Sequence, residues 1–126
     1  MANPFEELKA EASRRWQVLT NGDRPWIRVG AAICGLAAGA DDTLDAIRAE
    51  LERRGVSAHV SEVGCFGLCY AEPLVDVTLP GGARVFYGNA TPDKVPDIIE
   101  SHIVRREPRA DLALGAALGF DGGGQE

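Results

Sequence analysis

The sequence predicts a single α/β domain in which helices pack on a mixed four-stranded sheet. Apolar residues recur at helical or strand spacing in the order helix, strand, helix, strand, strand, strand, helix. The strand–helix–strand unit requires a crossover between parallel strands, whereas the Pro-Gly-Gly turn at 80–82 indicates an antiparallel hairpin. The 126 residues are enough for one such domain with a modest core.

The first 25 residues are predicted to form a helix and a linker. Asn3 is a residue type that caps helices, and Pro4 suits the first helical position. Apolar residues follow at helical spacing as far as Leu19. A turn at 21–23 is expected to end this helix, and the first strand is expected at 26–29.

The middle of the chain is predicted to supply the crossover. Residues 30–40 are rich in glycine and alanine, a composition that lets the backbone approach a neighbour closely. Asp41 or Asp42 is expected to cap the next helix, and Gly55 is expected to follow its last turn. Residues 56–63 are predicted to form the second strand.

A hairpin and a final helix complete the predicted domain. Residues 74–79 and 83–87 are expected to be the two hairpin strands, and Thr91 is expected to cap the helix. The domain is expected to span 26–108. Residues 109–126 are rich in alanine, leucine and glycine, and we expect either a loose C-terminal tail or a segment that docks on a partner.

Charge and composition exclude several classes of function. The formal net charge is −6, with 13 Lys and Arg against 19 Asp and Glu, which argues against binding to nucleic acid. No apolar run approaches the length of a membrane span, and the first residues do not read as a signal peptide. We therefore expect a cytoplasmic protein with no direct membrane insertion. Its three cysteines, an odd number, do not suggest disulfides there.

The three cysteines are the candidate functional residues. Cys34 follows the first predicted strand, and Cys65 and Cys69 follow the second. Adjacent parallel strands end at the same edge of a sheet, so the three thiols are expected to converge there. From the residues alone three alternatives stay open: an iron–sulfur site, a zinc site completed by a histidine, and small buried apolar side chains. The chain has two histidines, His59 and His102, both expected at the surface or the core edge.

Three segments carry a resemblance to a known family. The chain reads Ile-Cys-Gly-Leu-Ala-Ala-Gly-Ala at 33–40 and follows a Gly-Cys-x-Gly-x-Cys-x-x-x-Pro-Leu-Val pattern at 64–75. Together with residues 87–96, these segments resemble the thioredoxin-like 2Fe–2S ferredoxin domains. Such domains occur as free ferredoxins, in the small subunit and the flavoprotein subunit of NADH dehydrogenases, and in related hydrogenases and formate dehydrogenases.

The resemblance carries expectations for fold, cofactor and partners. It implies a thioredoxin-like sandwich and a 2Fe–2S cluster held by Cys34, Cys65 and Cys69, with no catalytic residues in this chain. It also implies an electron-transfer subunit of an NAD(H)-linked multi-subunit oxidoreductase. The expected partners are a flavoprotein and other iron–sulfur subunits of that complex.

The chain departs from the family at one cluster ligand. The family uses four cysteines, and the fourth normally lies a few residues before Cys34, where Val29 stands. Either another group completes the site, or the cluster is labile, or it has been lost and the domain is a structural or assembly subunit. Thiol–disulfide exchange is disfavoured, because redox-active pairs usually have C-x-x-C spacing at a helix N-terminus.

Overall fold

The computed structural model describes residues 3–21, 23–31, 33–64, 71–80, 82 and 84–117, with the backbone alone for residues 20, 21, 33, 34 and 117. The helices are α1 (Pro4–Asn21), α2 (Ile33–Ala37), α3 (Ala40–Arg54) and a final helix, which runs as a 3₁₀ turn (Pro92–Lys94), α4 (Val95–Ile98) and a π-helical turn (Ile99–Val104). The strands are β1 (Trp26–Gly30), β2 (His59–Val63), β3 (Val75–Thr78), β4 (Arg84–Tyr87) and β5 (Ala113–Ala117).

The strands form one mixed sheet in the order β2-β1-β3-β4-β5. β1 and β2 are parallel, and the other neighbouring pairs are antiparallel. The predicted α/β fold is confirmed, including the parallel pair and the hairpin of β3 and β4. The sheet has five strands rather than the four predicted.

The fifth strand comes from the segment that was expected to be a loose tail. Ala113 pairs with Tyr87, and Ala117 with Arg84, so β5 lies along the edge of β4. Its sequence, Ala-Leu-Gly-Ala-Ala, is poor in the β-branched and aromatic residues that favour strands. The pairing therefore depends on the exposed edge of β4, which local sequence patterns do not reveal.

The core lies between the sheet and two of the helices. Ile27 and Val29 of β1 are buried in one apolar cluster with Leu44 and Ile47 of α3 and Ile99 of the final helix. Alternate residues of a strand point to the same face, so Ile27 and Val29 both face these helices. Val29, the residue at the place of the missing cysteine, is thus a fully buried core residue.

The predicted helix termini are confirmed in part. The side-chain oxygen of Asn3 accepts a hydrogen bond from the Phe5 N–H at 2.9 Å, as its predicted capping role requires. The prediction that Asp41 or Asp42 caps α3 is wrong. Gly39 holds that position with a φ of 98°, and both aspartates lie in the first turn, where their charge favours the helix dipole.

The other two predicted caps also differ in outcome. Gly55 ends α3 with a φ of 66°, and its N–H reaches the Leu51 and Glu52 carbonyl oxygens, which confirms the predicted C-terminal glycine. Thr91 precedes the final helix as expected. Its hydroxyl donates to the Asp93 carboxylate and makes no capping bond to the backbone.

The first helix is confirmed, but it leaves its apolar side chains exposed. Phe5 and Leu8 are largely in solvent, and Trp16 meets Trp26 of β1 edge-on with ring centroids 5.8 Å apart.

Within the described residues, no helix is long and apolar enough to cross a membrane.

Candidate functional site

The strands that precede the cysteines in the sequence, β1 and β2, end side by side in the sheet. Gly30, the last residue of β1, pairs with Val63, the last residue of β2, and the Ala31 N–H donates to the Val63 carbonyl at 2.8 Å. Cys34 lies in α2, four residues after β1, and Cys65 follows β2 by two residues. We refer to this end of the sheet, from Gly30 and Val63 to the start of α2, as the cysteine edge.

The cysteine side chains themselves are outside what the structure describes. Cys65 and Cys69 lie outside the described residues, and Cys34 is described by its backbone alone. Among the described residues, no group of three or more histidine, cysteine, aspartate and glutamate side chains forms a metal site. The adjacent ends of β1 and β2 are therefore observed, and metal ligation by the three cysteines stays a prediction.

The residue after Cys34 has to be a glycine. A β-carbon on Gly35 would be 2.2 Å from the carbonyl oxygen of Gly30, far inside contact distance and against backbone. α2 therefore rests directly on the end of β1, as the glycine- and alanine-rich sequence predicts. This close approach fixes the Cys34 backbone relative to the strand end.

A buried carboxylate lies against the same point. Glu72 is 8% exposed, and its Oε2 accepts a hydrogen bond from the Leu74 N–H at 3.1 Å. The same β-carbon on Gly35 would lie 3.2 Å from this oxygen. The Gly30 N–H in turn donates to the Leu74 carbonyl at 3.0 Å, so Glu72, Leu74 and Gly30 form one hydrogen-bonded corner.

Glu72 does not stand out in the sequence, because most carboxylates of the chain suit solvated helix faces. The available signal was its position between a C-x3-C loop and the Pro-Leu-Val of a buried strand. An acidic residue between such neighbours is placed where water has little access. This is the condition under which a carboxylate needs a specific partner.

In the part of the chain that the structure describes, neither histidine belongs to a group of three or more potential metal ligands. His59 begins β2, and the strand rise places it about 13 Å from Val63 at the other end. His102 is buried in the final helix, and its Nδ1 is 2.7 Å from the Tyr87 hydroxyl. The Tyr87 oxygen also accepts the Arg109 N–H at 3.1 Å.

The His102 ring is a neutral core group. Burial lowers its pKa from 6.5 to about 4, so at neutral pH it carries no charge. Its unprotonated Nδ1 then accepts a hydrogen bond from the Tyr87 hydroxyl, since this hydroxyl needs an acceptor when it is buried. His102 is buried more deeply than the core-edge position that the sequence predicts.

A second buried carboxylate lies in the middle of the sheet and has a different environment. Asp76 is fully buried and accepts hydrogen bonds from Arg28 Nε at 2.9 Å and from Arg84 Nη2 at 2.7 Å. Each guanidinium also lies over an aromatic ring, that of Trp26 at 4.0 Å and that of Phe86 at 4.8 Å. This network joins β1, β3 and β4.

Known proteins similar to this chain include redox proteins. The chain is 29% identical over 109 residues to the NADP-reducing hydrogenase subunit HndB of Solidesulfovibrio fructosivorans, covering 82% of this chain and 84% of that protein. It is 47% identical over 60 residues to a 2Fe–2S ferredoxin of Clostridium pasteurianum, covering 46% of this chain and 56% of that ferredoxin. No protein-family model matches the chain.

Solved structures share the fold. The thioredoxin-like [2Fe–2S] ferredoxin of Aquifex aeolicus superposes with TM-scores of 0.65 and 0.63 in two crystal structures, at 20% and 21% identity. The match covers 75% and 74% of this chain and 93% and 98% of those chains. The predicted thioredoxin-like fold and the predicted resemblance to these ferredoxins are thereby confirmed.

Proposed function

We propose that this chain is an electron-transfer subunit that carries a 2Fe–2S cluster within a multi-subunit oxidoreductase acting on NAD(H) or NADP(H). One observation carries the proposal. β1 and β2 pair in parallel in a fold shared with 2Fe–2S ferredoxins, and Cys34 and Cys65 follow these two strands in the sequence. The similarity to a hydrogenase subunit over most of the chain supports the role in a complex.

In this proposal the three cysteines bind the cluster and two neighbouring residues support the site. Cys34, Cys65 and Cys69 supply thiolates, the ligands that iron–sulfur clusters use most often. Gly35 allows the backbone next to Cys34 to pack directly against Gly30 at the end of β1, and the Glu72 carboxylate lies beside Gly35. A bound 2Fe–2S cluster accepts and releases single electrons, while this chain holds it, limits its contact with water and presents a docking face.

The proposal extends to partners and location. A flavoprotein and further iron–sulfur subunits are the expected partners, and the cytoplasm is the expected compartment. The proposed domain spans residues 26–108, with 1–25 as an N-terminal helix and linker. The proposed docking segment at 109–126 includes β5, which pairs with β4 and so joins the sheet of this domain. The net charge of −6 suits a partner with a basic docking surface.

Anaerobic purification followed by iron, sulfide and visible-absorption measurements tests the proposal. We expect about two iron atoms and about two acid-labile sulfide ions per chain, with thiolate-to-iron absorption bands. Cys34→Ser is expected to lower the iron content and the absorption. Ser57→Ala, two residues before the start of β2, is the control that leaves both unchanged.

The opposite result would assign a different role. A folded, colourless, iron-free protein that still purifies with its partners would mean a cluster-less structural subunit. Circular dichroism of the same samples distinguishes loss of the cluster from loss of the fold.

A further inference from the structure

The cysteines of this chain number one fewer than the ligands of a typical cluster. A 2Fe–2S centre is normally held by four protein ligands, and the sequence contains three cysteines. The strand end before Cys34 reads Val29, Gly30 and Ala31, whose side chains carry no donor atom. A fourth ligand has to come from another part of the chain, from a partner or from solvent.

We propose that the Glu72 carboxylate is the fourth ligand of the cluster, binding iron through oxygen. This inference rests on the proposed function. Glu72 lies three residues after Cys69 in the sequence, and in space its Oε2 lies beside Gly35, the residue after Cys34. It is thus close in space to the residue after Cys34 and close in sequence to Cys69.

The electrostatics of Glu72 favour a cationic partner that the described chain does not supply. Glu72 is buried, and among the described residues no arginine, lysine or histidine pairs with it; the Leu74 N–H is its hydrogen-bond donor. A buried carboxylate with one neutral donor is costly. A ferric ion would offset that cost, and carboxylate oxygen is an established ligand type for protein-bound iron.

The hydrogen bond from Leu74 suits a ligand role. It fixes the orientation of the carboxylate before any metal binds, as outer-shell hydrogen bonds do for other metal ligands. An oxygen that accepts one backbone N–H retains a further lone pair, and the second carboxylate oxygen has its own.

The other carboxylates near this edge are less suitable. Glu62 is three residues before Cys65, but its side chain is exposed on β2. Asp76 is held by Arg28 and Arg84 in the middle of the sheet. Glu62 therefore provides a matched control, since it is also a glutamate three residues from a cysteine.

Two substitutions at each glutamate test the assignment. Glu72→Cys is expected to keep the iron and sulfide content and to strengthen the thiolate-to-iron absorption, because a sulfur ligand replaces an oxygen. Glu72→Gln is expected to lose iron to a chelator about tenfold faster, because removing even a hydrogen-bond partner of a metal ligand weakens metal binding by about tenfold or more. Glu62→Cys and Glu62→Gln are expected to match the unaltered chain in both measurements.

The outcomes separate this inference from the proposed function. A cluster in the unaltered chain with the same absorption and iron loss in both Glu72 variants would overturn the Glu72 assignment alone. Absence of any cluster in the unaltered chain would overturn the proposed function and this inference together. Because Gln keeps an oxygen acceptor for the Leu74 N–H, thermal unfolding of the iron-free proteins checks that the fold is retained.

Discussion

The two buried acidic residues near β3, Asp76 and Glu72, differ in the charge of the groups that donate hydrogen bonds to them. Asp76 is fully buried and paired with two arginines across three strands. Glu72 is 8% exposed and accepts a backbone N–H at the cysteine edge. Two arginines of the chain balance the charge of Asp76. Among the described residues, Glu72 has one hydrogen-bond donor, the neutral Leu74 N–H, and no positively charged partner.

The difference indicates that the Asp76 network contributes to the stability of the sheet, whereas the surroundings of Glu72 suit a binding site. A buried charge with matched arginines is compensated when the chain folds. A buried charge without them is retained where another group supplies the compensation. The cysteine edge combines such a carboxylate with the Cys34 backbone and the end of β2, and it is here that we place the cluster.

Removing each charge is expected to have very different effects on the stability of the iron-free protein. Asp76→Asn leaves two partly buried arginines without a countercharge and is expected to cost about 3 kcal/mol. Glu72→Gln keeps an acceptor for Leu74 and is expected to cost less than about 1 kcal/mol. Urea unfolding of both variants measures the two losses in the free energy of unfolding. Equal losses would mean that the two carboxylates contribute equally to stability, contrary to this account.

The close approach of α2 to β1 at the cysteine edge is expected to make Gly35→Ala nearly as destabilising as Asp76→Asn. The new β-carbon would meet the Gly30 carbonyl oxygen at 2.2 Å, so α2 has to shift, at a cost of about 2–3 kcal/mol. Gly115→Ala is the control, because nothing lies within 4 Å of a β-carbon there. Denaturant unfolding would contradict this packing if both variants lost the same stability.

A third buried ionisable group, His102, is expected to give a smaller, pH-dependent effect. Its folded-state pKa of about 4 is below the ordinary 6.5, so the unfolded chain binds a proton first as the pH falls. The stability that His102 contributes is present above pH 6.5 and is lost as the pH falls towards 4. Between pH 7 and pH 5 the loss is about 2 kcal/mol.

The contribution of His102 is measured by comparison with a variant that cannot titrate. His102→Gln is expected to lose less stability than the unaltered chain between pH 7 and pH 5. His59→Gln is the control, since His59 is the other histidine and is only partly buried. Identical pH profiles for the unaltered chain and His102→Gln would show that burial does not hold His102 neutral.

Sequence patterns predicted the features that depend on local chemistry. The glycine at 55, the asparagine cap at residue 3 and the parallel placement of the cysteine-bearing segments follow from backbone preferences and strand order. β5 could not be predicted, because its small residues pair only where β4 offers a free edge.

The buried polar groups depend on contacts between distant segments. Asp76 is joined to Arg28 across 48 positions and Tyr87 to His102 across 15, and in both pairs the two partners belong to different secondary-structure elements. Glu72 was missed for the same reason, since its proximity to Gly35 exists only in the folded chain. The cysteine motif was found because its spacing and glycines are local.

A reductive titration of the anaerobically purified protein, followed by electron paramagnetic resonance, tests the central claim most directly. A bound 2Fe–2S cluster is expected to take up about one electron per chain and to develop the paramagnetic signal of its reduced form. The Cys34→Ser variant is expected to lose most of this signal. Absence of a reducible centre in the intact, folded chain would contradict its assignment as an electron carrier.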